Sequence, residues 1–171
     1  TKRQLLKITN KKITSITFWV NQHIWFSKES THLRKKFNFK EEAFLIGSFQ
    51  RDTEGSDLIS PKLSKGPDQL LDIITEMIKD KSNLEVVLTG KRRNYLINNF
   101  KKLGIPFHYF EMVDFDMINN LYNCLDLYIV SSRFEGGPQS VVECGLTKTP
   151  IISTRVGIAE EILPGKSLFD M

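Results

Sequence analysis

Two glutamates and the short stretch between them are the residues best suited to chemistry. Residues 127–157 read LYIVSSRFEGGPQSVVECGLTKTPIISTRVG. Glu135 stands in a polar turn. Gly136, Gly137 and Pro138 follow, and Glu143 comes after seven intervening residues, inside the apolar segment Gln139–Leu146. Proline suits the first helical position, where its missing N–H costs nothing, so a helix is predicted to open at Pro138. The free N–H groups of Gln139 and Ser140 at its tip would form an anion or hydroxyl site. The two glycines let a ligand approach the backbone closely. Glu143 is flanked by Val141, Val142, Cys144 and Leu146, and a charge in such a helix is costly unless it has a partner. At a rise of 1.5 Å per residue it lies about 7 Å from the helix tip, so Glu135 and Glu143 can face one cleft.

The elements that must hold this cleft follow from the apolar pattern. Leu127–Val130 and Pro150–Ser153 are short apolar runs on either side of the helix. Together they read as strand, loop, helix, strand, the unit of a parallel α/β sheet. Upstream, Phe44–Phe49 reads as the first strand, and Gln50–Gly66 is a long polar stretch. Pro67 opens an amphipathic helix with Leu70, Leu71, Ile74, Met77 and Ile78 on its inner side. Leu84–Thr89 is the second strand. Lys91, Arg92 and Arg93 follow at its carboxyl end, where open α/β sheets bind ligands. The start of a solvated helix running through Lys102 accounts for at least two of these three. Pro106–Glu111 is the third strand, and Met117–Cys124 the next helix. Asp114 and Asp116 could hold a divalent ion that bridges phosphates. Standing just before a helix, they are expected instead as its cap and first-turn acids. The predicted class is α/β, a Rossmann-like parallel sheet flanked by helices.

A chain of 171 residues, 40% apolar and 26% charged, fits one soluble domain with a sizeable core. Cys124 and Cys144 both lie in apolar helical contexts and read as reduced core residues of a cytosolic protein, not as a disulfide or metal framework. The sequence contains no apolar run of membrane-spanning length and no recognisable signal peptide. The first forty residues hold ten Lys/Arg and one acidic residue. They suit a solvated linker or an anionic membrane surface. No aromatic-plus-basic motif points to nucleic acid. Ile13–Asn21 alternates like a strand, and Ser30–Phe37 reads as a short helix. His23 and His32 are read as surface or junction residues, and His108 as core or surface.

Here the residues resemble a family. Glu135-x7-Glu143, the strand ending in Ser-Ser-Arg-Phe-Glu-Gly and the later Thr-Pro-Ile-Ile-Ser-Thr-x-Val-Gly resemble the donor-binding, C-terminal domain of GT-B glycosyltransferases. The nearest group is the retaining one usually numbered family 4, the glycosyl transferases group 1. The resemblance runs from about Ile13 to the end. It implies an interdomain linker or edge over 1–40, where Trp19, Trp25 and Phe26 would pack at the domain junction, and a nucleotide-sugar-binding domain over 41–171, with closing helices beyond Met171 and an N-terminal domain that holds the acceptor. Lys65-Gly66 matches the Lys-Gly half of the family's diphosphate loop. The usual arginine after Gly47 is Ser48 here, a departure, and Arg51 is the candidate substitute. Val113 is expected to meet the base through its main chain, Glu143 to hold the ribose hydroxyls, and Glu135 to lie by the sugar ring. Gly136, Gly137, Gln139 and Ser140 complete the expected site. Arg155 stands where the family often has Asp, so no side-chain role is assigned to it. The implied activity is retaining, hexosyltransferase-like transfer in polysaccharide biosynthesis. The substrate is a nucleotide diphospho-sugar, with no other cofactor and no obligatory metal. The acceptor is a glycan, a lipid or a small molecule, and the place is the cytoplasm or the inner face of the membrane. This chain alone would bind nucleotide without turnover. A nucleotide-sugar epimerase and a non-catalytic nucleotide-binding domain share the same fold expectation.

Overall fold

Strands buried on both faces must be largely apolar, and any charge in them needs partners, as Glu85 in the central strand Leu84–Thr89 has in Lys40 and His108. Leu84–Thr89 is buried at all six positions, as a parallel strand covered by helices on both sides requires. The structure, a computed structural model, describes residues 5–14, 16 and 19–170. Its strands are β1 (Phe44–Ser48), β2 (Leu84–Thr89), β3 (Phe107–Phe110), β4 (Leu127–Val130), β5 (Ile151–Thr154) and β6 (Leu168–Phe169). Its helices are α1 (Ser30–Lys36), α2 (Pro67–Asp80), α3 (Asn94–Leu103), α4 (Phe115–Cys124), α5 (Gln139–Thr147) and the single turn α6 (Ala159–Ile162). All strand pairings are parallel, in the order β3-β2-β1-β4-β5-β6. The chain builds outward from β1 to β3, then returns to lay β4 against the other side of β1. Such a reversal leaves a crevice at the carboxyl ends of the two central strands.

The period-two alternation of each strand feeds two cores. Leu45, Val87, Tyr128 and Val130 face Leu121, Tyr122 and Cys144, so α1, α4 and α5 cover that side. Ile46, Val86, Leu88 and Ile129 face Leu70, Ile74, Leu96 and Phe100, so α2 and α3 cover the other.

The predicted α/β class and its strand sequence hold, with small shifts at the ends. β3 is shorter than Pro106–Glu111, and β6 is an addition to the expected strands. Pro138 is the residue before α5 and not its first, with ψ 115°. The expected strand Ile13–Asn21 is absent over residues 13, 14, 16 and 19–21, while Ser15, Thr17 and Phe18 lie outside the described residues. The segment from Val20 to Phe39 is packed on the sheet, with Val20, Trp25, Leu33 and Phe39 joining the first core. Trp25, 4% exposed, meets Tyr122 edge-on at 5.7 Å and Phe115 at 6.2 Å between ring centroids. Trp19 and Phe26, by contrast, are exposed. The Glu29 carboxylate caps α1 by accepting from the N–H groups of Thr31 and His32. Arg34 ties the helix down, donating to the Cys124 carbonyl and, at 2.7 Å, to the Asp126 carboxylate. No helix among the described residues is long and apolar enough to cross a membrane.

If residues 20–39 belong to the folded body, Trp25→Ala will cost about 3–5 kcal/mol in urea unfolding. A cost well below about 1 kcal/mol would mean that the segment merely rests on the sheet.

Candidate functional site

The crevice between β1 and β4 is filled by three pieces of chain. The first is the loop from Arg133 to Pro138, which β4 and Ser131-Ser132 deliver to the tip of α5. Pro138 leaves that tip without a side-chain cap. The N–H groups of Gln139 and Ser140 have no hydrogen-bond partner among the described residues. The second piece is the end of the long loop after β1, where Leu63–Lys65 forms a 3-10 turn closed by Gly66. Gly66 has φ 59°, and a Cβ there would run into the Ser131 carbonyl oxygen. Only glycine allows the turn to sit on the end of β4. The third piece is the start of α4, capped by Asp114, whose carboxylate accepts from the Met117 N–H at 2.8 Å.

Cross-links hold these pieces together. The Ser64 carbonyl accepts from the N–H groups of Arg133 and Phe134 at 3.0 and 3.1 Å. Arg133 grips Asp68 with two parallel hydrogen bonds of 2.7 and 2.6 Å, and this bond holds the Asp68 carboxyl below its usual range. Gln50 bridges the crevice: its amide donates to the Lys65 carbonyl at 2.9 Å, and its oxygen accepts from Ser132 Oγ at 3.0 Å.

Between the pieces lies a cavity of about 380 Å³. Lys65, Glu135, Gly137, Gln139, Ser140 and Glu143 line it, as expected together. The Lys65 ammonium pairs with Glu135 Oε1, which lies 3.2 Å from Ser132 Oγ. Glu143 is 8% exposed, and its carboxylate accepts from the Tyr122 hydroxyl at Oε2, 2.7 Å away. Burial raises the Glu143 carboxyl above its ordinary range, and the Tyr122 bond opposes that only in part. The Tyr122 and Tyr128 phenols are raised by burial in their turn. The two cysteines are unpaired and buried, and burial pushes the Cys124 thiol up to about 12.

Three expected residues do not line the cavity. Arg51 is exposed, and its Nε donates to the Thr53 carbonyl at 2.9 Å. Val113 is half-buried in the turn before α4. Gly136 is exposed, its carbonyl set against Gly157, which has φ 51° and no room for a Cβ. Asp116 is held by Lys28 at 2.9 Å and by Asn120, apart from the capping Asp114, so each carboxylate already has a partner. Arg155 pairs with Asp170.

Arg93 is neither solvated nor at the cavity wall. It is fully buried, with Nε on Asp52 at 2.6 Å and Nη1 on the Ser48 and Thr89 carbonyls at 2.6 and 2.8 Å. It clamps the root of the long loop to the ends of β1 and β2. The sequence reading also misses the apolar floor. Trp25, Phe49, Phe115, Ile118, Tyr122 and Tyr128 all line the cavity, and nothing in their spacing sets them apart from ordinary core.

Glu143 leads to a stability prediction. Its carboxyl is raised in the folded state, so the folded form gains stability as pH falls and loses it as pH climbs through the raised value. Glu143→Gln removes that loss. The variant should be at least as stable as the parent at neutral pH, with the gap closing as pH drops toward the ordinary value of 4.5. Urea midpoints across that range test this, and a variant that is less stable at neutral pH and gains nothing on it there refutes it.

Comparison with known proteins bears on this arrangement. A family model described as Glycosyl transferases group 1 matches residues 58–169. No curated protein matches the chain significantly. Among solved structures, a glycosyltransferase from Rickettsia africae ESF-5 is 23% identical, with 98% of this chain and 46% of that one covered and a TM-score of 0.73. The C-terminal domain of a glycosyl transferase group 1 family protein (LpcC) from Francisella tularensis is 19% identical, with 89% and 80% covered and a TM-score of 0.72. Anabaena HepE in complex with UDP-glucose is 21% identical, with 85% and 39% covered and a TM-score of 0.62. The chain thus spans less than half the length of the Rickettsia and Anabaena proteins. The architecture is that of a Rossmann-like half of a GT-B glycosyltransferase, and, since the family model covers most of its length, this chain belongs to the glycosyl transferases group 1 family.

Proposed function

We propose that this chain is the donor-binding domain of a retaining glycosyltransferase that moves a hexosyl group from a nucleotide diphospho-sugar to an acceptor held by an N-terminal domain. The observation that carries the reading is the gathering of Lys65, the unbonded N–H groups of Gln139 and Ser140, and two carboxylates around one cavity at the sheet's reversal point. An ammonium and a helix N-terminus suit a diphosphate. A carboxylate with a free oxygen suits hydroxyls, and by resemblance to the family Glu143 would take the ribose and Glu135 the sugar.

The chemistry follows from charge. As the bond from the anomeric carbon to the diphosphate breaks, negative charge grows on the departing oxygen. Fixed N–H dipoles and the Lys65 ammonium stabilise that charge without reorganising. Lys65 would then share its charge between Glu135 and the phosphates. Glu135 lines the same cavity as the helix tip, and its carboxylate would steady the positive charge that develops on the sugar. The acceptor arrives from the N-terminal domain, and on this reading transfer takes place on the cytoplasmic side. The same anomeric configuration in donor and product, read by NMR on the whole protein, is the outcome expected of a retaining enzyme.

Binding is testable on this chain alone. A nucleoside diphosphate at a hundredfold excess over Kd stabilises the fold by about 2.7 kcal/mol. One base among uridine, guanosine and adenosine diphosphates should raise Tm more than the others. Lys65→Met should weaken that binding roughly tenfold or more. Failure of every diphosphate to shift Tm or give heat in calorimetry would sink the reading for this chain.

A further inference from the structure

We infer that Tyr122 is a positioning residue for Glu143: its buried hydroxyl holds one carboxylate oxygen so that the other is presented to the cavity. This rests on the donor-site reading. Glu143 projects from an apolar helix, and Tyr122 supplies its one side-chain hydrogen bond among the described residues. A carboxylate held at a single oxygen by a rigid donor has a defined orientation, and without that donor it can rotate or bind a proton.

The donor is rigid. Tyr122 is 1% exposed. Its ring is packed by Trp25, by Phe49 at 4.8 Å and by Tyr128 at 5.2 Å. Its backbone is anchored as well. The Tyr122 carbonyl accepts from Thr149 Oγ1 at 2.9 Å, and Thr149 Oγ1 accepts in turn from Thr147 Oγ1 at 2.7 Å. These two bonds tie α4 to the last residue of α5, one turn beyond Glu143. Tyr128 does a parallel job on the same floor, its hydroxyl accepting from the Phe49 N–H at 2.9 Å.

The titratable groups about Glu143 are Tyr122 on α4, Tyr128 on β4 and Cys144 on its own helix, with Lys65 and Glu135 across the cavity. A phenol that donates to the ionised carboxylate favours that form, so its loss lets Glu143 hold a proton at higher pH.

The test compares the whole chain with Tyr122→Phe, which keeps the ring. The ligands are the nucleoside diphosphate that binds best and its 2′,3′-dideoxy analogue, titrated calorimetrically over a pH series. The expected result is a loss of about tenfold in affinity for the ribose form near neutral pH, little change for the dideoxy form, and a pH midpoint of binding moved upward. 3-Fluorotyrosine at position 122, a stronger donor of nearly the same shape, should move the midpoint downward and covers the case in which Tyr122→Phe does not fold. Equal losses for both ligands, or a midpoint that neither variant moves, would overturn the assignment. If the parent chain binds no nucleoside diphosphate, it is the donor-site reading that fails.

Discussion

The whole arrangement depends on a change of direction in the sheet. From β1 the chain adds strands on one side and then on the other, so the helices that follow β1 and β4 lie on opposite faces of the sheet and a crevice opens between the two strand ends. Backbone and side chains that cannot be covered there must be satisfied by what the loops bring. The site is therefore assembled from the ends of elements, while the two cores on either face of the sheet supply the rigidity. Position comes from packing, and chemistry comes from the few polar groups left at the rim.

Those groups are held by contacts that tolerate little change. Gly66 must be left-handed and lack a side chain for Lys65 to reach the crevice. Gly157 meets Gly136 backbone to backbone, with no room for a side chain between them. The buried Arg93–Asp52 pair fixes the start of the same loop. A buried ion pair is weak support for stability in itself, because desolvation offsets attraction. Here each partner also satisfies backbone groups: Arg93 serves two carbonyls, and the Asp52 carbonyl accepts from the Lys62 N–H. The pair thus defines a shape more than it adds energy.

Much of this is legible in the sequence, and the rest is hidden for physical reasons. The central strands can be read because burial on both faces demands largely apolar runs. Glu135 and Glu143 can be singled out because a glycine-proline turn and a charge in an apolar helix are each costly without a purpose, while Lys65 stands out only through its resemblance to the family's Lys-Gly loop. Arg93 cannot, because three consecutive basic residues read as solvated, and only a distant Asp52 makes burial possible. Arg51 is the reverse case: it is the candidate substitute for the family's usual arginine, but it is exposed and bonds locally to the Thr53 carbonyl. Trp25 is expected at a domain junction, yet it closes the cavity floor from a segment that sequence pattern reads as linker. β6 has two residues, too few for any periodicity.

The loop after β1 has one more consequence. Its two arms are joined at the base by the Thr53–Pro61 bridge and by bonds from Lys62 to Asp52 and from Glu54 to Ser60. The exposed tip, residues 55–59, lies outside that closure. Lengthening a tip beyond a fixed base adds only a small entropic cost, and it transmits no displacement to Lys65. The loop is thereby divided into a stem of fixed geometry and an expendable crown, so natural drift or deliberate grafting can reshape the surface beside the cavity while the ammonium inside it stays where it is.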